Sequence, residues 1–280
     1  MKGKVKCISK LLDPKIDYVF KRIFGYIGNE EITKELVSSI IGKEISSIEL
    51  DNNPILEKKL LDDKVGILDI RAKIEDKINC NIEMQIVDRK NIEKRILYYW
   101  SKLYNMNIKA GKEYEKLEKV IVILLTDYEL DSLKEIKKYE TKWNIREEDY
   151  QKVILTDVME FYIIELPKYE KYKEKTENQK LNNWIKFIKE PGGIEMGDDK
   201  AIRKAKEVLE EISKDKRERY LAELREKYIL DQKAIEDAGY DKGLKDGIKK
   251  IAKNLLKINI SIEQIEEITG LTKEEIEKLK

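Results

Sequence analysis

The sequence predicts an α/β fold in which helices flank a mixed central β-sheet and an all-helical region follows at the C-terminal end. Helical and strand-like patterns follow one another in the order helix, helix, three strands, helix, strand, strand. Because a helix lies between two strands, the chain must cross over the sheet, which gives parallel as well as antiparallel neighbours. Beyond residue 200 the periodicity is helical only.

The first two elements are predicted to be helices. In PKIDYVFKRIFGYI, at 14–27, apolar residues recur at helical spacing, Pro14 suits a first turn and Gly25 lies near the end. Asn29 is expected to cap a second helix, EEITKELVSSII, which ends before Gly42.

Three segments of strand character follow, at 44–50, 65–74 and 78–87. The last two are expected to form a hairpin. Residues 91–109 return to helical spacing, and the continuous apolar runs at 120–126 and 159–166 are typical of strands that are buried on both faces.

The C-terminal third divides into helical segments. Residues 200–235 predict one long helix that is solvated on most faces because opposite charges alternate along it. Glycines then recur every four residues at Gly239, Gly243 and Gly247, as in a flexible or oligomerising helix. Three short helices are expected at 248–280. The last two begin at the capping boxes Ser261 to Gln264 and Thr272 to Glu275, with Gly270 as the stop between them. We therefore predict a main domain at 1–195, a charged helical linker at 196–247 and a helix-turn-helix-like unit at 248–280.

The composition excludes several classes of chemistry. The 280 residues contain no histidine, which rules out histidine-dependent nucleophiles and His-ligated zinc. A hard metal held by carboxylates remains possible for hydrolysis. The net charge of +1 favours no partner, and two cysteines give no disulfide framework, which fits the cytoplasm. No apolar run has the length of a membrane span, and none at the N-terminus has that of a signal peptide.

Acidic side chains are predicted on one face of the hairpin. Because side chains alternate along a strand, Asp69 of the first strand and Glu83 of the second can share a face. Across a strand pair they would lie within roughly 5 to 8 Å of each other. Two carboxylates this close repel unless a cation compensates, and one divalent ion could bridge them.

A shared face requires an odd number of residues in the turn between the strands. A three-residue loop at 76–78 sets Asp69 opposite Gln85, whereas a five-residue loop at 74–78 sets it opposite Glu83. Both loops keep the two acids on one face, and the spacing alone leaves the choice open.

Two other interpretations fit the same alternation. The charged face could be the solvated side of an ordinary antiparallel hairpin. Arg71 could also pair with Glu83 in a surface salt bridge. An Asp followed fourteen residues later by E-x-Q is a weak motif by itself.

Three stretches resemble the recombination-promoting nuclease family, whose members are also described as PD-(D/E)XK family transposases. These are LLDPKIDYVFKRIFG, GILDIRAKIEDKINCNIEMQIV and RILYYWSKLYNMNIKAGKEYEKLEKVIVILLTD, in this order. The resemblance spans residues 11 to 130. It implies a restriction-endonuclease-like (PD-(D/E)XK) core that cleaves DNA phosphodiester bonds with Mg²⁺, or with Mn²⁺ in its place.

By position, the resemblance implies that Asp69 and Glu83 are the two catalytic acids, which bind the metal together with the carbonyl of Met84. Gln85 stands where the wider superfamily has a lysine, although the resembling family commonly has glutamine there. An amide can orient the attacking water but brings no positive charge. Asp17 matches an acid that the family holds near the site, where it would act through water or a second ion. A solvated helix position is the other interpretation of Asp17.

Two cations of the hairpin are candidates for contacts with the substrate. Lys73 lies about 13 Å along the strand from Asp69, too far for the metal, so we expect it to meet a phosphate. Arg71 lies at about half that distance and is the better candidate for stabilising charge in the transition state.

The helix at 91–109 is predicted to present Arg95, Tyr98 and Lys102 on the face opposite its apolar stripe. There they would contact the DNA backbone, and Tyr98 could stack on a base. An ordinary wet face of an amphipathic helix is the alternative.

Together these patterns predict a cytoplasmic, Mg²⁺-dependent endodeoxyribonuclease that acts in recombination, in mobile elements or in defence. Its expected partner is DNA, and no membrane is involved. The alternative is a DNA-binding or regulatory protein with weak or no catalysis, which acts by oligomerisation through its C-terminal helices. The last helix, KEEIEKLK, carries three Glu against three Lys and is poorly suited to groove entry. We therefore expect these helices to bind another copy of the chain or a protein regulator.

Overall fold

The computed structural model describes residues 10–51, 70–88, 90–106, 114–193 and 199–279. The strands within these ranges are β1 (Ile48–Leu50), β2 (Ile70–Ile74), β3 (Ile78–Gln85), β4 (Lys119–Thr126), β5 (Glu140–Trp143) and β6 (Met159–Glu165). The helices within them are α1 (Asp17–Phe24), α2 (Glu30–Ile41), α3 (Ile92–Met106), α4 (Tyr169–Tyr172), α5 (Gln179–Lys189), α6 (Lys200–Lys214), α7 (Lys216–Lys257), α8 (Ile262–Thr269) and α9 (Lys273–Glu277).

The six strands form one mixed sheet in the order β1-β2-β3-β4-β6-β5. β3 is parallel to β4 and β4 is parallel to β6, whereas the other neighbours are antiparallel. The connection from β3 to β4 contains α3, as a parallel pair requires. The predicted mixed sheet with a helical crossover is therefore confirmed.

Each face of the sheet packs against its own apolar core. The larger core lies between the sheet and the helices α1, α2, α5 and α6, and it includes Phe20, Leu36, Trp184 and Leu209. The smaller core lies on the other face and contains Ile92 and Ile96 of α3. Alternate residues of β4 enter the two cores, which confirms that this apolar run is a strand buried on both faces.

The hairpin of β2 and β3 has a defined register. Ile74 pairs with Ile78 and Ile70 pairs with Ile82, so three residues connect the strands. Glu75 and Asp76 adopt positive φ angles of 49° and 56°, as a type I′ turn requires. The predicted odd number is confirmed, although the loop is 75–77 rather than 76–78 or 74–78. The register is that of the 74–78 alternative, because Ile74 and Ile78 pair with each other instead of belonging to the loop. That alternative sets Asp69 opposite Glu83, and Asp69 itself lies outside the described residues.

Several expectations about local structure are wrong. Asn29 does not cap α2 with its side chain, because its amide instead donates to the carbonyl of Ile23 at 2.9 Å. The single helix expected at 200–235 is interrupted at Asp215, where α6 ends. α6 is not solvated on most faces, because Ala205 and Leu209 are fully buried in the larger core. The short strand β5 and the helix α5 were not predicted from the sequence.

The chain divides into two compact units, Met1–Glu226 and Lys227–Lys280. The second unit contains the end of α7 together with α8 and α9, around a small apolar cluster that includes Ala252 and Ile276. Both predicted capping boxes are present, and Gly270 ends α8 with a left-handed conformation. In the part of the chain that the structure describes, no helix combines the length and the apolar character needed to cross a bilayer.

Two glycine-to-alanine substitutions are expected to change stability in opposite directions. A Cβ at Gly25 would lie 2.8 Å from Cγ1 of Ile70 and 3.1 Å from the carbonyl oxygen of Lys21. Gly25→Ala should therefore destabilise the protein by about 1 to 3 kcal/mol. Gly239 of α7 has open space around it, so Gly239→Ala should stabilise the helix by about 1 kcal/mol. Urea unfolding followed by circular dichroism tests both, and equal midpoints would contradict the close approach at Gly25.

Candidate active site

Glu83 is a buried acid in the middle of the fold. It lies on β3, between the pairing with β2 and the parallel pairing with β4, and its side chain faces the smaller core. Only 3% of the residue is exposed, because α3 covers this face of the sheet. The charged face of the hairpin is thus not a solvated surface at this position.

The two oxygens of Glu83 have different surroundings. Oε1 accepts a hydrogen bond from Nε2 of Gln85 at 2.5 Å and also pairs with the guanidinium of Arg95. Oε2 is buried and accepts no hydrogen bond from any described residue. A buried carboxylate oxygen without a donor is unfavourable unless a ligand completes it.

The surroundings of Glu83 favour its protonated form. Burial raises the pKa of this carboxyl, Arg95 opposes that rise, and the negative charge of Asp17 adds to it. The net direction is upward. The nearby Tyr128 hydroxyl is likewise buried without a partner among the described residues, and burial raises its pKa as well.

Arg95 does not lie on the face of α3 on which it was predicted. It approaches Glu83 from the sheet side, between the buried residues Ile92 and Ile96, and is 26% exposed. The physical reason is helical geometry, since a residue three positions after Ile92 lies close to the same face. The partner of Glu83 is therefore Arg95, rather than Arg71 as the surface salt-bridge interpretation expected.

Asp17 lies at the start of α1 and is engaged by Arg225 of α7. Nε of Arg225 lies 2.9 Å from Oδ1 and 3.0 Å from Oδ2, and its Nη2 lies 2.6 Å from Oδ2. Oδ1 also accepts the backbone N–H of Tyr18 at 2.8 Å. Both oxygens of Asp17 therefore already accept hydrogen bonds. Its negative charge also raises the pKa of Glu83.

Of the other two predicted metal ligands, the structure describes Met84, which follows Glu83 on β3. Asp69 is outside the described residues. The side chain of Met84 is buried in the larger core, so only its carbonyl is suited to a metal. The Gln85 carbonyl accepts the N–H of Asp127 at 2.9 Å on the β4 side. Carbonyls alternate along a strand, so that of Met84 points towards the β2 side.

The cations predicted to contact DNA occupy different environments. Arg71 pairs across the ladder with Asn81, which makes it a diagonal neighbour of Glu83 on the same face. Its side chain forms no hydrogen bond or ion pair with any described residue. Lys73 is instead paired with Glu118.

The outer face of α3 carries the other two predicted contacts. Tyr98 is 55% exposed, and the ammonium of Lys102 lies 4.7 Å from the centroid of its ring. This is a solvent-facing cation–π pair one helical turn apart. Both residues are therefore on the wet face of the helix, as the periodicity predicted.

Three polar residues at the site were not predicted from the sequence. The amide nitrogen of Asn81 and the hydroxyl of Tyr128 are buried and have no hydrogen-bond partner among the described residues. Strand alternation puts Asn81 on the face of Glu83, but nothing in the alternation indicates its burial. Arg225 lies 208 positions from Asp17, and no local pattern could have connected the two.

The donor set fits a hard divalent cation in part. Among the described residues no group of three or more Asp, Glu or Cys could hold a metal. Glu83 nevertheless offers a buried, unpartnered carboxylate oxygen, which is the ligand type that Mg²⁺ and Mn²⁺ prefer. Backbone carbonyls and water are the other oxygen ligands that such an ion accepts.

Glu83→Gln is expected to stabilise the metal-free protein at neutral pH. Because folding raises the pKa of Glu83, its contribution to stability is fully present below the unfolded pKa of 4.5 and is lost as pH rises through the folded value. An amide does not titrate, so the stability of the variant relative to the wild type should increase as pH rises through this range. Urea unfolding in EDTA at several pH values measures the difference. Glu49→Gln, an exposed position on β1, is the control, and a pH-independent difference would contradict the raised pKa.

Removal of Arg225 is expected to destabilise the first unit strongly. Arg225→Met leaves Asp17 as a largely buried charge without its bidentate partner, at a cost of about 3 to 5 kcal/mol. The double variant Asp17→Leu, Arg225→Met removes both charges and should recover most of the loss. Thermal unfolding of the wild type, Arg225→Met, Asp17→Leu and the double variant tests this, and additive losses would show that the pair does not interact.

Comparison with known proteins identifies a family that matches the part of the chain containing this site. The family described as PD-(D/E)XK nuclease family transposase matches residues 14–239, a range that includes the whole sheet, Glu83, Gln85 and Arg225. No curated protein and no solved structure gives a significant match. The resemblance seen in the sequence is thereby confirmed, and it supports a nuclease-type function with DNA as the substrate. Since the match covers most of its length, the chain belongs to the PD-(D/E)XK nuclease family transposases.

Proposed function

We propose that this protein is a divalent-metal-dependent endodeoxyribonuclease whose metal binds at Glu83. The observation that carries the proposal is the buried Oε2 of Glu83, which no described residue satisfies. A cation at this oxygen would remove both the unsatisfied acceptor and the repulsion from Asp17. Neither a core packing role nor a surface salt bridge accounts for such an atom.

The proposed ligands are Glu83, Asp69 and the carbonyl of Met84. Extending the β2–β3 register by one residue beyond the pair Ile70 and Ile82 would set Asp69 opposite Glu83. Mg²⁺ is the expected ion and Mn²⁺ a substitute, because all three donors are oxygens. When bound, the ion lowers the pKa of a coordinated water and stabilises negative charge on the phosphate.

Side chains around Glu83 would bind and orient the substrate. Gln85 holds Oε1 of Glu83 through its amide nitrogen, which leaves its amide oxygen to align the attacking water. Arg71, on the same face and unpartnered among the described residues, would contact the scissile phosphate. Lys73, Tyr98 and Lys102 would contact the DNA farther from the cleaved bond.

A second function has one observation in its favour. The amide of Gln85 is already hydrogen-bonded to Glu83, and no lysine occupies the usual position of the superfamily motif. A protein that binds DNA with weak or no cleavage is the corresponding alternative. It would act through association of its C-terminal helices.

Under either function we propose that the protein self-associates. We also propose that it acts in the cytoplasm, in recombination, mobile-element or defence processes. Leu244 and Ile251 form an exposed apolar stripe on α7, seven positions apart, and the exposed Ile258 continues this spacing one residue beyond the end of the helix. The acidic residues before this stripe are Glu236, Asp237 and Asp241, and the basic residues along it are Lys249, Lys250, Lys253 and Lys257. An antiparallel second copy would place acidic and basic segments opposite each other.

Cleavage of supercoiled plasmid tests the proposed function. The wild type should nick or linearise it with Mg²⁺ or Mn²⁺ and should be inactive in EDTA. Asp69→Ala and Glu83→Ala should each lower the rate at least about a hundredfold, because each removes a metal ligand. Glu49→Ala removes an exposed acid from the same sheet and should cleave like the wild type. Equal rates for wild type and Glu83→Ala would refute the assignment, and DNA binding without cleavage would favour the second function.

A further inference from the structure

Arg95 forms an ion pair with Glu83, the carboxylate that is proposed to bind the metal. We propose that Arg95 is an exchangeable counter-ion, which neutralises Glu83 until a divalent cation binds and then moves to the scissile phosphate of the DNA. The inference rests on the proposed function and deepens it, because it couples metal binding to substrate binding at one site. Its basis is the ion pair between Arg95 and Oε1, next to the unpartnered Oε2.

A neutralising cation stabilises the ionised form of Glu83 while the metal is absent. Glu83 is almost completely buried, and a carboxylate in such surroundings is costly unless a charged donor pairs with it. Arg95 supplies that charge from α3, and Gln85 adds a neutral hydrogen bond to the same oxygen. Both known donors to Glu83 therefore converge on Oε1.

Metal binding opposes this ion pair. A divalent cation at Oε2 and a guanidinium at Oε1 would share one carboxylate, and like charges at that separation repel in a poorly solvated site. Glu83 and the proposed ligand Asp69 carry two negative charges, fewer than the three positive charges of a divalent ion and Arg95. The side chain of Arg95 is the partner able to leave, because it is 26% exposed and long, whereas Glu83 is fixed on a central strand.

The phosphate of the substrate provides the new partner for the displaced guanidinium. Arginine binds phosphate through two parallel hydrogen bonds, whereas the amide at Gln85 brings no positive charge to the site. Arg95 contacts Glu83 and its own side chain is 26% exposed, so its guanidinium can reach a phosphate that binds next to the metal. Metal binding would thus release a cation at the place where the substrate supplies an anion.

Calorimetric titration with Mn²⁺ in the absence of DNA tests the exchange. Arg95→Gln removes the competing charge and should bind Mn²⁺ at least about fivefold more tightly than the wild type, while DNA cleavage falls at least about tenfold. Lys94→Gln removes the same charge from an exposed position on the same helix and should leave Mn²⁺ affinity unchanged. A purely structural role of Arg95 would weaken Mn²⁺ binding and cleavage together.

A measurement on the wild type guards against misfolding of the variant. Mg²⁺ should shift the Nε–Hε NMR signal of Arg95, which is assigned by its absence from the folded Arg95→Lys protein. Unchanged or weaker Mn²⁺ binding by a folded Arg95→Gln, or an unmoved Arg95 signal under saturating Mg²⁺, would overturn the exchange while leaving the nuclease assignment intact. Absence of Mn²⁺ binding by the wild type would overturn both.

Discussion

The parallel pairing of β3 with β4 is the constraint on which both the fold and the site depend. Parallel neighbours need a crossover, and here the crossover contains α3, which covers the face of the sheet that carries Glu83. On the edge of an antiparallel sheet the same residue would be an ordinary solvated acid. The connection between two strands therefore turns a common surface pattern into a buried charge that needs partners.

The partners of the two described acids come from different helices. Arg95 of α3 serves Glu83, and Arg225 of α7 serves Asp17. Such ion pairs add little net stability, because desolvation offsets most of the attraction between the charges. Their contribution is geometric, since each bidentate or buried pair admits few arrangements of its side chains. The surroundings of Glu83 are thus fixed by contacts that span most of the first unit.

Periodicity predicted those features that depend on neighbouring residues. The hairpin, its odd loop, the crossover helix and the doubly buried β4 all follow from alternation or from apolar runs, and the structure confirms them. The register was left open because both loop lengths satisfy the alternation equally. It is settled by the turn, in which Glu75 and Asp76 adopt left-handed conformations that no sequence pattern demanded.

Features that depend on tertiary contacts were beyond the sequence. β5 has four residues and only its pairing with β6 defines it as a strand. Asn29 is of a residue type that often caps helices, yet its side-chain amide donates to the carbonyl of Ile23 instead. Arg95 was assigned to the outer face because charged residues usually lie there, although helical geometry places it beside Ile92 and Ile96.

The position of Arg225 affects where the folded module around Glu83 can be said to end. The sheet is complete at β6, and a shortened form that stops after α6 would still contain Glu83, Gln85 and Asp17. Such a form would nevertheless lack the guanidinium that holds Asp17 in place. The start of α7 therefore belongs to the module as much as β3 does, and a functional fragment of this chain would have to include it.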